Sequence, residues 1–154
     1  MAVYFHYIQK KGKINNIREM KRIIKQLVVD QNKSLTRVDY IFCPDEYLLD
    51  INKKFLGQNS YTDTISFSLN KRGAPIIGEV YISMNRVREN AKEFKVSIKK
   101  ETARVIFHSA LHLCGFKDKT IRQNQIMRQL EDKYLQKYVS RETHINMDLN
   151  SMLF

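Results

Sequence analysis

Hydrophobic and polar positions along the chain fall into two rhythms: short runs that alternate every second residue and longer runs that repeat every three to four. Residues 2–8, rich in Val, Tyr and Phe, read as a strand, and a polar turn, Lys10-Lys11-Gly12-Lys13, follows it. Ile17, Met20, Ile23, Ile24, Leu27 and Val28 then mark one face of a helix, with Asn16 and Glu19 spaced as a capping box at its start. Leu35 to Cys43 alternates through Val38, Tyr40 and Phe42 and predicts a second strand. Pro44 suits the opening of the next helix, Leu48, Ile51 and Phe55 give its apolar stripe, and Gly57 suits its C-terminal cap. From Thr62 to Leu69 the alternation is strict, with Ile65, Phe67 and Leu69 on one face of a half-buried strand. A turn from Asn70 to Pro75 leads into Ile76–Ser83, its expected hairpin partner. Met84, Val87, Ala91 and Phe94 carry a third helix, Ser97 caps a fourth that runs to Gly115, and Ile121, Met127, Leu130, Tyr134 and Tyr138 define a long last one.

Strands concentrated early and helices late predict an α+β fold, a mixed four-stranded sheet packed with about five helices. No repeat or linker divides the 154 residues, and Gly (5) and Pro (2) are scarce, so residues 1–140 read as a single domain. The weak periodicity from Arg141 to Phe154 predicts a disordered tail.

Charge narrows the function. Lys and Arg total 27 against 16 acidic residues, a net charge of +11 that favours a polyanionic partner, nucleic acid ahead of membrane. No run reaches the roughly 18 apolar residues of a membrane span, and residues 1–7 lack the pattern of a signal peptide, so a cytoplasmic protein is expected. Cys43 and Cys114 make no disulfide framework and read as free thiols.

The chemistry gathers in Phe107-His108-Ser109-Ala110-Leu111-His112-Leu113-Cys114-Gly115-Phe116-Lys117-Asp118-Lys119. Residues four apart share a helix face, so the two imidazoles can converge on one metal ion. Gly115 can stop the helix and turn the chain back, which would bring Asp118, the only carboxylate of that turn, to the pair as a third ligand. The expected site is one zinc ion per chain on His108, His112 and Asp118, with a position left open for chemistry and with other divalent metals also admissible. Cys114 competes by chemistry, yet it lies on another helix face and reads as a core residue. Metalloproteases of the His-Glu-x-x-His type place a glutamate general base directly after the first histidine; Ser109 stands there and cannot serve.

These residues resemble the YbeY family of metal-dependent endoribonucleases associated with ribosomal RNA maturation, whose signature is H-G-x-L-H-L-x-G-[YF]-D-H. His108, Leu111, His112, Leu113, Gly115 and Phe116 match it in place. Thr62-Asp63-Thr64-Ile65-Ser66-Phe67 resembles the family's T-D-V-L-S-F strand and Gly78-Glu79-Val80-Tyr81-Ile82-Ser83 its G-D-I-x-I-S strand, and Asn52 fits its L-N. Three departures stand out. Asp118 occupies the place of the third histidine, Ser109 that of the glycine, and Leu56 that of an arginine thought to act on the RNA phosphate. The resemblance implies a hydrolase that cuts single-stranded RNA through its metal, with ribosomal RNA and the ribosome or its assembly factors as partners. Thr62, Asp63 and Ser66 would support the site wall, although an Asx-type turn is an equal reading of Asp63. With leucine at position 56, another cation must contact phosphate, and Lys53, Lys54, Arg104, Lys117 and Lys119 are the candidates. The rival classes are a non-catalytic, zinc-stabilised RNA- or ribosome-binding factor and a metal-dependent hydrolase of a non-RNA substrate.

Overall fold

The computed structural model describes the backbone of residues 1–9 and 13–152 and the side chains of residues 1–9 and 13–138. The polar turn expected around Gly12 and the side chains of the tail expected from Arg141 onward lie outside the described residues. Nine elements follow one another: β1 Ala2–Tyr7, α1 Ile17–Asp30, β2 Leu35–Cys43, α2 Asp45–Leu56, β3 Thr64–Ser68, β4 Ile76–Ser83, α3 Met84–Phe94, α4 Ile98–Leu113 and α5 Ile121–Met152. The chain position at which a tail was expected to begin falls inside α5.

The sheet has the order β1-β2-β4-β3. β1 and β2 are parallel, joined by α1 as a crossover helix, and β2 pairs in parallel with β4. β3 returns antiparallel on β4 as the expected hairpin, from Thr64 opposite Ile82 to Ser68 opposite Gly78. This is the predicted mixed α+β architecture. One sheet face, carrying Val38, Tyr40, Phe42, Val80 and Ile82, packs on α1, α4 and α5 to form the main core. Each large side chain fully removed from water there contributes about 1.5–3 kcal/mol. The other face is covered near β3 by α2, through Cys43, Leu48 and Ile65 with Ile51, Phe67 and Tyr81 around them.

α4 lies at the centre, in contact with α1, α3, α5 and β3. That explains why so much of its surface is buried, from Ala103 and Ile106 to Phe107 and Leu111. Gly78 lets it approach the sheet: a Cβ at that position would stand 2.8 Å from Leu113 Cδ1.

Some local expectations failed. Asn16 makes no side-chain cap, and the Glu19 carboxylate accepts two hydrogen bonds from Arg22, at 2.7 and 3.0 Å. Leu69 is 56 % exposed, since β3 ends at Ser68, and Phe94 at the end of α3 is 54 % exposed. Phe55 leaves the buried stripe of α2 and rests edge-on against Phe67, with ring centres 5.9 Å apart.

Candidate metal centre

The last turns of α4 present His108 and His112 on its one unburied stripe, facing a cleft whose opposite wall is the polar side of β3. Thr64, Ser66 and Ser68, the half of the alternation that seemed destined for solvent, line that wall. Ser109 ties helix to strand. Its hydroxyl donates to Val105 O at 2.8 Å and is 3.1 Å from Thr64 Oγ1, which therefore donates to it. The serine that replaces the family glycine is thus a buried structural link between α4 and β3.

The turn after α4 delivers the third donor. Gly115 adopts φ +105°, the left-handed region that glycine enters without strain, and its N–H is donated to His112 O at 2.9 Å. The far end of the turn is pinned by a capping box that sequence reading missed. Thr120 Oγ1 accepts from Gln123 N, and Gln123 Oε1 accepts from Thr120 N, both at 3.1 Å. Between these anchors Asp118 folds back over the histidines.

His108 Nε2, His112 Nε2 and Asp118 Oδ2 form a triangle with sides of 3.0, 3.2 and 3.3 Å. Donors on a tetrahedral zinc with bonds of about 2.0–2.1 Å lie about 3.3–3.4 Å apart, so the triangle is close to one face of that tetrahedron. The tautomers agree. His108 Nδ1 faces Glu131 Oε2 at 3.0 Å and His112 Nδ1 faces the carbonyl of Phe116 at 2.9 Å. Both partners only accept, so each Nδ1 carries a proton, and in the neutral imidazole that leaves Nε2 with an inward lone pair. Two lone pairs and a carboxylate converging within hydrogen-bond distance repel one another unless a cation joins them. Among the described residues these three make the group of ligating atoms suited to a metal ion.

Behind His108 stands a charge network. Glu131 Oε1 accepts from Arg104 Nη1 at 3.0 Å, Glu101 grips the same guanidinium through Nε and Nη2, and Asp63 Oδ2 lies 3.7 Å from Nη2. Glu101 and Glu131 are 2 % and 4 % exposed. Burial pushes the Glu131 carboxyl up, but hydrogen bonds and charge from His108 and Arg104 outweigh it and leave the group below its usual range. Burial likewise pulls Arg104 down, and Glu101 and Glu131 more than reverse that. Glu131 escaped the sequence reading, although a signal existed: it sits between Met127 and Leu135 at four-residue spacing, a carboxylate in an apolar stripe.

The other predicted residues separate. Lys117 and Lys119 line the cleft with Leu56, Thr62, Asp63 and Ser66, whereas Lys53, Lys54 and Arg104 do not. Arg104 is engaged by its three carboxylates. Asp63 faces Arg104 and also accepts from Asn90 Nδ2 at 3.4 Å. Ser66 Oγ is buried in the wall with no hydrogen-bond partner among the described residues. Cys114 is core, as expected: it is 7 % exposed, and burial pushes its thiol up to about 11 while Lys33 pulls the other way.

A cleft of about 640 Å³ with three convergent ligands on its floor and lysines on its rim, set on an α+β scaffold, is the layout of a metal-dependent hydrolase. The chain belongs to the endoribonuclease YbeY family, whose model matches residues 5–139. Relatives named endoribonuclease YbeY include one from Flavobacterium psychrophilum, 45 % identical over 112 residues, covering 73 % of this chain and 79 % of the relative. Another, from Christiangramia forsetii, is 41 % identical over 120 residues, covering 78 % and 83 %. The solution structure of TM1509 from Thermotoga maritima superposes with a TM-score of 0.65 at 26 % identity, covering 94 % of this chain and 93 % of that one.

Proposed function

We propose that this protein is a metal-dependent endoribonuclease that cuts single-stranded ribosomal RNA during its maturation, with one zinc ion held by His108, His112 and Asp118. The observation that carries the reading is the convergence of those three donors, within 3.3 Å of one another, at the floor of a cleft rimmed by Lys117 and Lys119. When bound, zinc supplies a Lewis acid for a phosphate oxygen and a water that ionises near neutral pH.

The chain's own groups divide the remaining work. Glu131 and the Phe116 carbonyl fix the imidazole tautomers so that no proton occupies the ligating nitrogens. Lys117 and Lys119 flank Asp118 and take over the phosphate contact that Leu56 cannot make. Lys53 and Lys54, exposed at the end of α2, add more distant attraction for the backbone. Ser109 is not a general base, because a neutral hydroxyl is too weakly basic and this one is fully buried.

Ribosomal RNA in the cytoplasm, within the ribosome or its assembly intermediates, suits a basic chain in which no helix among the described residues is long and apolar enough to cross a membrane. Purified protein supplied with zinc is expected to cut single-stranded ribosomal RNA fragments, and His108→Ala with His112→Ala to abolish cutting while the fold persists. RNA binding without metal-dependent cleavage would instead support a non-catalytic RNA- or ribosome-binding factor, the reading that the leucine at position 56 favours.

A further inference from the structure

The cleft does not end at the metal ligands. Past Ser68, Leu113 and Gly115, which line both spaces, it opens into a second groove of about 570 Å³. One bank is the turn between α1 and β2, with Asn32, Lys33 and Ser34, and the other is the hairpin turn between β3 and β4, with Asn70 and Arg72. No acidic side chain lines this groove, whereas Asp63 and Asp118 line the first. Lys33 and Arg72 are exposed and have no carboxylate partner among the described residues.

Both banks are built rather than loose. Asn70 bridges its own turn, donating to Lys71 O and Ala74 O at 2.9 and 3.3 Å and accepting from Ile77 N at 3.1 Å. Asn32 holds the left-handed φ of +57°, and Lys33 N reaches back to Val28 O at 3.1 Å. Ile76 N donates to Ser34 O at 2.7 Å and so fastens the α1–β2 turn to β4. Two unpaired cations therefore stand on ordered turns either side of a path that begins at the metal centre. Rigid walls carrying unpaired charge lower the ordering cost of holding a partner.

We propose that this groove carries the single-stranded RNA away from the metal centre, with Lys33 and Arg72 each contacting a backbone phosphate. The inference rests on the endoribonuclease reading. An extended polyanion fits better than a small anion, because the groove is open, continuous with the cleft, and charged by two cations on opposite banks rather than by one closed pocket.

The test is a salt titration of RNA binding by the metal-loaded full chain, wild type against the double variant Lys33→Ala/Arg72→Ala. The probes are labelled single strands of about 12 and about 4 nucleotides, within the range of known site sizes. Each phosphate contact on a single strand contributes about 0.7 to the slope of log affinity against log salt, so the double variant should flatten the slope by about 1.4. At about 0.1 M salt, taken against about 1 M, that slope corresponds to an affinity for the longer strand lower by about 25-fold. The gain in affinity from the short to the long strand should shrink accordingly. Lys33→Glu/Arg72→Glu should move all three readings further in the same direction, with melting curves run alongside. If the wild type cuts RNA while both variants keep its slope and length dependence, the groove is not the RNA path. If instead the variants lose only binding of an acidic peptide, the groove serves a protein partner and the inference falls. A wild type that neither binds nor cuts RNA overturns the endoribonuclease reading itself, and the groove assignment with it.

Discussion

Replacing Glu131 by Gln isolates what the buried network does for the metal. The substitution keeps volume and one oxygen, but the other terminus becomes an N–H₂ group. In the wild type one carboxylate oxygen faces Arg104 Nη1 and the other faces His108 Nδ1, both at 3.0 Å, and both neighbours are donors. Gln can satisfy only one. Its oxygen will stay with the guanidinium, because a hydrogen bond to a charged donor is roughly twice as strong as a neutral one. The amide nitrogen then faces His108 Nδ1, and the imidazole can accept that bond only by moving its proton to Nε2. The proton would land on the atom that stands 3.0 Å from His112 Nε2, where a ligand lone pair is needed. Outer partners of metal-binding histidines typically influence affinity by 10–100-fold, so zinc binding should weaken by about 1.4–2.7 kcal/mol. Competition against a chromophoric chelator measures the affinity, and long-range ¹⁵N–¹H spectra of the histidines report the tautomer directly. A Gln variant that folds, keeps His108 protonated at Nδ1 and binds zinc within about twofold of wild type would refute the reasoning.

Other outcomes follow from the same geometry. Arg104→Met should lower stability by about 3–5 kcal/mol, since it leaves buried Glu101 without its cation and buried Glu131 with only His108, and a urea midpoint close to wild type would contradict this. Ser109→Gly, which restores the family residue, should cost about 2 kcal/mol, combining a lost helix preference with a lost link to Thr64; urea denaturation would show it, and a neutral or stabilising result would count against that link. Asp118→Ala should weaken zinc retention while Asp118→His, with a nitrogen donor in the same turn, should retain it; equal affinity in all three proteins would remove Asp118 from the ligand set. Asp30 is held below the usual carboxylate range, first by Gln26 and then by the hydroxyl of buried Tyr134, 2.7 Å away. A lowered pKa stabilises the fold above the unfolded value of about 3.9 and loses that effect as pH falls through the folded one. The stability gap between wild type and Asp30→Asn should therefore hold steady at neutral pH and close below pH about 4, and a gap that persists in acid would contradict the assignment.

The sequence by itself was enough for whatever depends on neighbours along the chain. Period-two and period-3.6 patterns located each strand and helix of the described residues, though not the length of α5, because burial on one face of an element leaves its mark at fixed spacing. The spacing of His108 and His112, with a glycine able to turn the chain at 115, also led to Asp118, since all three lie within a helix end and one turn. What pairs distant segments stayed hidden. Nothing local marks the polar face of β3 as the wall of a cleft rather than a solvated surface; that follows from α4 crossing beside an edge strand. Arg104 looked like a free cation until α5 brought Glu131 to it, 27 residues away in sequence. Lys33 and Arg72 belong to turns remote in sequence that meet only because β2 and β4 are neighbours in the sheet. A charge has no periodicity to betray its partner. Which carboxylate meets which cation, and which face of a strand lines the cleft, is decided when the elements pack.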